Sequence, residues 1–165
     1  MAFGDIDINK IKDSIHETQK HIMKVDDMLE CVKEEIEYRQ INHDSSKMEY
    51  PELEVFTIYT EKLKYSTYGS DEYKGFLKEM KIALDHHYEQ NRHHPEHFSQ
   101  GISGMNLVDL IEMMCDWKAA TMRHDDGDIY NSLEINKERF GIDDQLFSVL
   151  KNTVDSMNSE WEELR

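Results

Sequence analysis

Apolar residues recur at steps of three and four positions along most of the chain, a spacing that places them on one face of an α-helix. The clearest run predicts one long amphipathic helix, or two joined collinearly, from about residue 8 to 38. Its apolar positions are Ile8, Ile11, Ile15, Ile22, Val25, Leu29, Val32 and Ile36. The segment from Asn42 to Pro51 breaks the pattern, and a less regular run from Leu53 to Leu63 predicts a short helix.

The rest of the chain predicts further helices separated by polar or glycine-containing breaks. The helices are predicted at about Asp71–Asn91, Asn106–Met122, Ile129–Phe140 and Asp143–Trp161. The breaks between them are predicted at Tyr65–Ser70, Ser99–Gly104 and His124–Asp128, and Pro95 must end or kink the helix before it. With no strand alternation and no repeats, the pattern predicts an all-α bundle. We expect a single domain over residues 1–165, with its core between about 8 and 160.

Composition excludes several classes of protein. A chain of 165 residues with 38% hydrophobic and 33% charged residues is typical of one globular domain. No apolar stretch approaches the roughly 20 residues that span a bilayer. The first ten residues lack the features of a secretory signal, which favours a cytoplasmic protein. Cys31 and Cys115 lie in apolar helical patterns and are predicted to be buried free thiols.

The formal net charge of −16 argues against duplex nucleic acid as a partner, because a duplex requires a basic face. Solubility is the simplest consequence of this acidity. Small anionic substrates are not excluded, since a bound metal ion can reverse the local field.

Histidines and acids at particular helical positions are candidates for a metal site. His43–Asp44 is followed three residues later by Lys47. Upstream, His21 lies at the edge of the apolar stripe of the first helix, whereas His16 points to the polar side. In the next strong helix His87 shares the apolar face, and His94 continues that face if the helix persists to Pro95. His86 and His93 project to its flank and are the alternates.

Asp116 is the strongest single candidate, because it lies in the most apolar helix between Cys115 and Trp117. Asp109 and Glu112 stand on the same face. A buried carboxylate is costly unless it is paired or bound to a metal, so this acidic stripe requires cations unless it faces solvent.

The order His, His-Asp, Asp on separate helices resembles the HD-domain metal-dependent phosphohydrolases. The similar segments are HIMKV at His21, NHDSSK around His43–Asp44, and CDWKAAT around Asp116. HDSSK is similar to the HD-x-x-K of the HD-GYP branch, but HHPEHFSQGISGM stands where that branch has its GYP stretch. Residues 18–153 also resemble a family of uncharacterised phage and bacterial proteins with the motifs R-x-x-x-HD-x-SK, N-x-HHPEH and EM-x-x-DW.

The resemblance implies a centre of one or two divalent metal ions. It assigns the first ion to His21, His43, Asp44 and Asp116, and a second ion, bridged by Asp44, to His87 and His94. Imidazole and carboxylate ligands favour Mn, Fe, Co, Ni or Zn, with Mg left open. Lys47 and Arg39 are predicted to contact phosphate oxygens, and Glu112 to be a general base or to accept a hydrogen bond from a ligand imidazole.

The predicted function is hydrolysis of a nucleotide or similar small phosphoester by a metal-activated water. Two alternatives stay open: a non-catalytic protein that binds a nucleotide or a host factor, and a di-iron oxygenase of the same fold. The predicted partner is a small phosphorylated substrate, with no membrane and with a homo-oligomer left open. The expected location is the cytoplasm, which is the host cytoplasm if a phage encodes the chain.

Overall fold

The chain folds into α-helices throughout the part that the structure describes. The computed structural model describes residues 7–66, 70–123 and 127–164, without the side chains of residues 63, 64 and 73. These ranges contain no β-strand, which confirms the all-α prediction. Their α-helices are α1 (Ile8–Asn42), α2 (Glu52–Tyr65), α3 (Asp71–Glu79), α4 (Lys81–Gln90), α5 (Leu107–Thr121), α6 (Ile129–Phe140) and α7 (Asp144–Glu162). Short 3₁₀ helices lie at Ser45–Met48, Pro95–His97 and Gly101–Gly104.

The chain divides into two compact units, residues 1–41 and 42–165. In the first unit the described residues form α1, which confirms the predicted long helix as one continuous element. No residue of α1, which is described in full, is buried. The extent of a single domain over residues 1–165 stays a prediction.

The core of the second unit lies between α5, α6 and α7. It consists of Met114, Ile129, Leu133, Ile142, Leu150 and Val154. Gly141 ends α6 with a φ of 62°, a left-handed conformation that glycine adopts without a steric penalty. Asp143 then caps α7 by accepting hydrogen bonds from the backbone N–H groups of Gln145 and Leu146. Away from this core, α2 packs against α4 and against the 3₁₀ helix at Ser45–Met48.

The helix α5 is only partly buried, although it contains the most apolar helical segment of the sequence. Leu110, Met113 and Met114 are buried, whereas Leu107 is 74% exposed. The prediction of buried thiols is wrong, because Cys31 and Cys115 are both exposed. Cys115 follows the buried Met114 by one residue, and a step of about 100° around a helix carries it off the packed face.

The predicted helix Asp71–Asn91 is interrupted and ends early. It divides at Met80 into α3 and α4, and α4 ends at Gln90 because Asn91 is extended, with φ −114° and ψ 107°. His93 and His94 therefore lie in a turn after the helix. Of the predicted breaks, residues 67–69 and 124–126 lie outside the described residues. In the described part of the chain, no helix combines the length and apolarity required to cross a bilayer.

Candidate metal centre

Asp44 takes an unusual backbone conformation just after α1. Its φ of 56° lies in the left-handed region, which costs most residues about 1–2 kcal/mol and which Asp tolerates better than most. Lys47 donates a hydrogen bond of 2.5 Å to Asp44 Oδ2. The other carboxylate oxygen, Oδ1, is thereby left to face the histidines of α4 and the turn that follows it.

Three histidines from α4 and this turn converge on Asp44. His87 Nε2 lies 3.4 Å from Asp44 Oδ1, and His93 Nε2 lies 3.6 Å from the same oxygen. His94 Nε2 is 2.9 Å from His87 Nε2. One ligand atom from each of these four residues lies within 4.8 Å of all the others, a spacing that one metal ion can bridge. We call this set the Asp44 cluster.

A second cluster shares His93 with the first. It combines His93 with His43 and with Asp116 from α5, again with ligand atoms within 4.8 Å of one another. His43 Nε2 lies 3.8 Å from Asp116 Oδ1, and the His43 and His93 rings have centroids 4.5 Å apart. We call this set the Asp116 cluster. The structure therefore brings together five of the six predicted ligands, and His93 joins them.

Buried polar atoms at the meeting point of the two clusters have no hydrogen-bond partner among the described residues. They are Asp44 Oδ1 and both ring nitrogens of His93. His93 Nδ1 lies 3.1 Å from Glu112 Oε1, but in a geometry that makes no hydrogen bond. A buried polar atom left unpaired costs about 1–3 kcal/mol. Because the atoms are an anionic oxygen and imidazole nitrogens, this site fits a divalent cation.

Two carboxylates determine which ring nitrogen each histidine presents. Glu112 Oε1 lies 2.9 Å from His43 Nδ1, and Glu52 Oε2 lies 2.8 Å from His87 Nδ1. An ionised carboxylate can only accept, so each Nδ1–H donates and each Nε2 keeps its lone pair. A ligand histidine commonly donates its other ring N–H to a carboxylate in this way.

The side chain of Asn91 supports the same assignment for His87. Its Nδ2 donates to Ser46 Oγ at 2.7 Å and to the His87 carbonyl at 2.8 Å. Both amide hydrogens are therefore used, and His87 Nδ1 is left to donate to Glu52.

Glu52 was not anticipated from the sequence. It is fully buried and also lies 2.7 Å, through Oε1, from His86 Nδ1. His86 is thus held at Glu52, on the far side of that carboxylate from the Asp44 cluster. A lone acid at the start of an irregular helix carries no sequence signal of this role.

Burial and neighbouring charges set the protonation of the clusters. Burial raises the pKa of Asp44, but the hydrogen bond and charge of Lys47 outweigh it and hold that pKa below its ordinary value. Burial, together with the nearby Lys47, lowers the pKa of His87. Burial and the adjacent imidazoles lower the pKa of His94 to about 3. His87 and His94 are therefore neutral at pH 7, the form that binds metals.

His43 differs from these histidines in its protonation. Its hydrogen bond to Glu112 raises its pKa above the ordinary value. The same carboxylate that orients this imidazole therefore also favours its protonated form in the absence of a cation.

Three further residues singled out in the sequence are members of neither cluster. His21 is exposed on α1 in the first unit, where Arg39 pairs with Glu35 at 2.9 Å. Their roles as ligand and phosphate contact stay predictions. Asp109 lies on the acidic stripe of α5 but has a protein cation, because Arg92 Nη2 lies 3.0 Å from its Oδ2.

An open groove of about 600 Å³ borders both clusters within the second unit. Its lining includes His94, Asp116, Trp117, Asn131, Arg139 and Phe140. The Trp117 and Phe140 rings are nearly parallel, at 4°, with centroids 6.1 Å apart. Arg139 lies at the groove and pairs with Glu96 at 2.8 Å. A molecule in this groove can reach the clusters through His94 and Asp116.

Comparison with known proteins places the chain in a family. The sequence profile of that family matches residues 10–156. The chain belongs to DUF5662, a family of unknown function. No curated protein and no solved structure matched the chain. The DUF5662 match covers α1 from residue 10 onward and every residue of the two clusters, so the candidate centre lies inside the matched segment.

Proposed function

We propose that this chain is a metal-dependent phosphohydrolase of the HD-domain type, acting on a nucleotide or a similar small phosphoester. One observation carries the proposal: imidazole and carboxylate ligands converge around buried atoms that have no hydrogen-bond partner among the described residues, namely Asp44 Oδ1 and the His93 nitrogens. The left-handed backbone at Asp44 supports it, since strained residues concentrate at functional sites.

The residues that would hold the cation are those of the Asp44 and Asp116 clusters. Mixed nitrogen and oxygen donors favour Mn, Fe, Co, Ni or Zn over Mg. A bound divalent cation supplies a water of lowered pKa and polarises a phosphoryl oxygen. Glu52 and Glu112 orient the imidazoles, so that His87 and His43 present Nε2.

Lys47 is the positively charged group best placed to contact a phosphate. Its side chain is 37% exposed while its ammonium group holds Asp44. An ammonium has three hydrogens, so the bond to Asp44 leaves others for phosphate oxygens. The groove beyond His94 would receive the rest of the substrate. Its nearly parallel aromatic rings, Trp117 and Phe140, form an apolar wall suited to a nucleobase.

The test measures metal content and phosphate release on the same preparation. We expect one or two divalent ions per chain by inductively coupled plasma mass spectrometry, and phosphate release from some members of a nucleotide panel. A chelator should abolish the release and added metal should restore it. Full activity in metal-free protein would overturn the proposal.

Two matched carboxylate variants test whether phosphate release depends on the Asp44 cluster. Asp44→Asn should lower phosphate release by at least about 100-fold, since a ligand is lost. The control is Asp85→Asn, which neutralises an exposed acid on α4 that pairs only with Lys81 in the described contacts. Activity should persist in the control. Bound iron with visible absorbance and oxygen consumption, without phosphate release, would favour the oxygenase alternative.

A further inference from the structure

A strict seven-residue repeat runs along α1. Numbering the heptad from Ile8 as position a, the a positions are Ile8, Ile15, Ile22, Leu29 and Ile36. The d positions are Ile11, Thr18, Val25, Val32 and Arg39. We call the a and d residues from Ile8 to Ile36 the seam. Both positions are apolar in three of the four heptads that begin at Ile8, and Thr18 occupies position d of the second. Two apolar positions in seven are typical of a coiled coil, whereas a helix on a globular core shows a wider apolar face.

The seam is exposed from Ile8 to Val32, and Ile36 at its end is partly buried. Ile22 is 60% exposed and Leu29 is 62% exposed. At 1.5 Å per residue, the 29 positions from Ile8 to Ile36 extend for about 43 Å. Single exposed apolar side chains are ordinary on protein surfaces, whereas a line of this length is not.

The opposite face of α1 carries exposed ion pairs. Lys20 pairs with Glu17 at 2.8 Å, and Lys24 with Asp27 at 3.3 Å. These four residues occupy heptad positions c and f, away from the seam. The helix therefore has one polar face and one largely apolar line, which another helix of the same period can cover along its full length.

A second copy of α1 is the occupant of matching length, because the other described helices are at most 19 residues long. In a parallel pair each g residue faces the e residue five positions later in the other chain. This brings His21 to Asp26 of the second copy, and Glu35 to Gln40 of the second copy. The remaining pairs are Ser14 with Gln19 and Met28 with Lys33, so no pair unites like charges. We propose that the chain self-associates through a parallel coiled coil formed by the seam of α1.

The first experiment compares two neighbouring substitutions by sedimentation velocity of the full chain. Ile22→Glu places a charge in the seam, whereas Met23→Glu places the same charge one residue away, on a side chain that is 67% exposed. Glutamate is a good helix former, so both variants keep the propensity of α1. We expect wild type and Met23→Glu to sediment as oligomers, and Ile22→Glu to sediment as a monomer.

A monomeric wild-type chain at micromolar concentration would overturn the proposal, as would equal behaviour of the two variants. If the seam instead covers a surface of its own chain, wild type is monomeric and Ile22→Glu lowers its melting temperature. If wild type is a trimer and Ile22→Glu dissociates it, self-association through the seam is equally supported. Metal content, measured on every variant, reports on the second unit independently of this result.

The second experiment tests orientation. Ile11→Cys is made in a chain that also carries Cys31→Ser and Cys115→Ser, so that one thiol remains. In a parallel pair the two introduced thiols face each other near the helix start, and mild oxidation should give a covalent dimer that reductant dissolves. Cysteine at exposed Met23 in the same background should remain uncrosslinked. Failure of Ile11→Cys to crosslink while the chain sediments as an oligomer would overturn the parallel arrangement.

Discussion

At the residue scale, the buried carboxylate of Glu52 accepts hydrogen bonds from two imidazoles. Each of its oxygens faces one ring, His86 through Oε1 and His87 through Oε2. A buried anion is costly unless hydrogen bonds satisfy it, and these two N–H groups do so. The same contacts fix the ring of His87 with Nε2 towards Asp44. Glu52 thus acts on the proposed metal through His87 and is a positioning residue.

Neutralising Glu52 should weaken metal binding without removing a ligand. In Glu52→Gln the amide accepts with one oxygen only, so the two imidazoles compete and His87 is less firmly oriented. We expect the metal dissociation constant to rise by about 10–100-fold, the usual effect of losing such a partner. Isothermal titration with Mn²⁺ or Zn²⁺ measures it. The matched control, Glu54→Gln, changes an exposed acid on the same helix and should leave affinity unchanged; equal affinity in both variants would contradict the role of Glu52.

Helical phase anticipated some of these residues and not others. It selected His87, which contributes to the Asp44 cluster, and His21, which is in neither cluster. The acidic stripe of the most apolar helix pointed to Asp116, which is in the Asp116 cluster. It could not select Glu52, because the partners of Glu52 lie 34 and 35 residues away and no local pattern encodes that contact. His93 was only an alternate, since its placement depends on where α4 ends.

At the element scale, the start of α5 determines where its acids lie. Asn106 accepts a hydrogen bond from the Asp109 backbone N–H, and Asp109 accepts one from the Asn106 backbone N–H. This reciprocal cap satisfies two of the helix's free N–H groups. Arg92 adds an ion pair to the same carboxylate, which is fully buried. The cap thereby anchors the helix that carries Glu112 and Asp116.

Removing the cap should lower the free energy of unfolding and leave the metal content unchanged. Asn106→Ala loses one side-chain acceptor, and we expect the free energy of unfolding to fall by about 1 kcal/mol in urea titrations. The control Ser103→Ala changes an exposed residue nearby and should stay within about 0.5 kcal/mol of wild type. Metal content should be unchanged in both. A neutral Asn106→Ala would show that Arg92 and packing suffice to hold α5.

The ends of the elements explain which expectations differ from the structure. Apolar spacing predicts α1, α6 and α7 closely, because each has a strong stripe and α6 and α7 have clear caps. It predicts a helix through Asn91, where the side-chain amide of Asn91 instead bonds the His87 carbonyl. Asparagine competes for backbone groups in this way and so ends helices. The resulting turn brings His93 between both clusters, a consequence that no periodic pattern encodes.

At the scale of the whole molecule, a net charge of −16 makes a cation a favourable addition. Asp44, Glu112 and Asp116 each have a carboxylate oxygen within 4.0 Å of His43. Lys47 and the imidazoles are the groups beside these carboxylates that can carry positive charge. Mutual repulsion of the carboxylates opposes folding, and a divalent ion relieves it. Stability and metal binding should therefore be linked.

Removing metal should lower the melting temperature of the wild-type chain. A ligand that binds only the folded state at 100 times its dissociation constant stabilises it by about 2.7 kcal/mol. For a chain of this size that corresponds to about 5–10 °C, which differential scanning calorimetry resolves. Asp44→Asn should melt at one temperature with or without metal, because it lacks the carboxylate charge that the Asp44 cluster offers to a cation. A chelator-induced shift of equal size in both proteins would place the stabilising metal elsewhere than the Asp44 cluster.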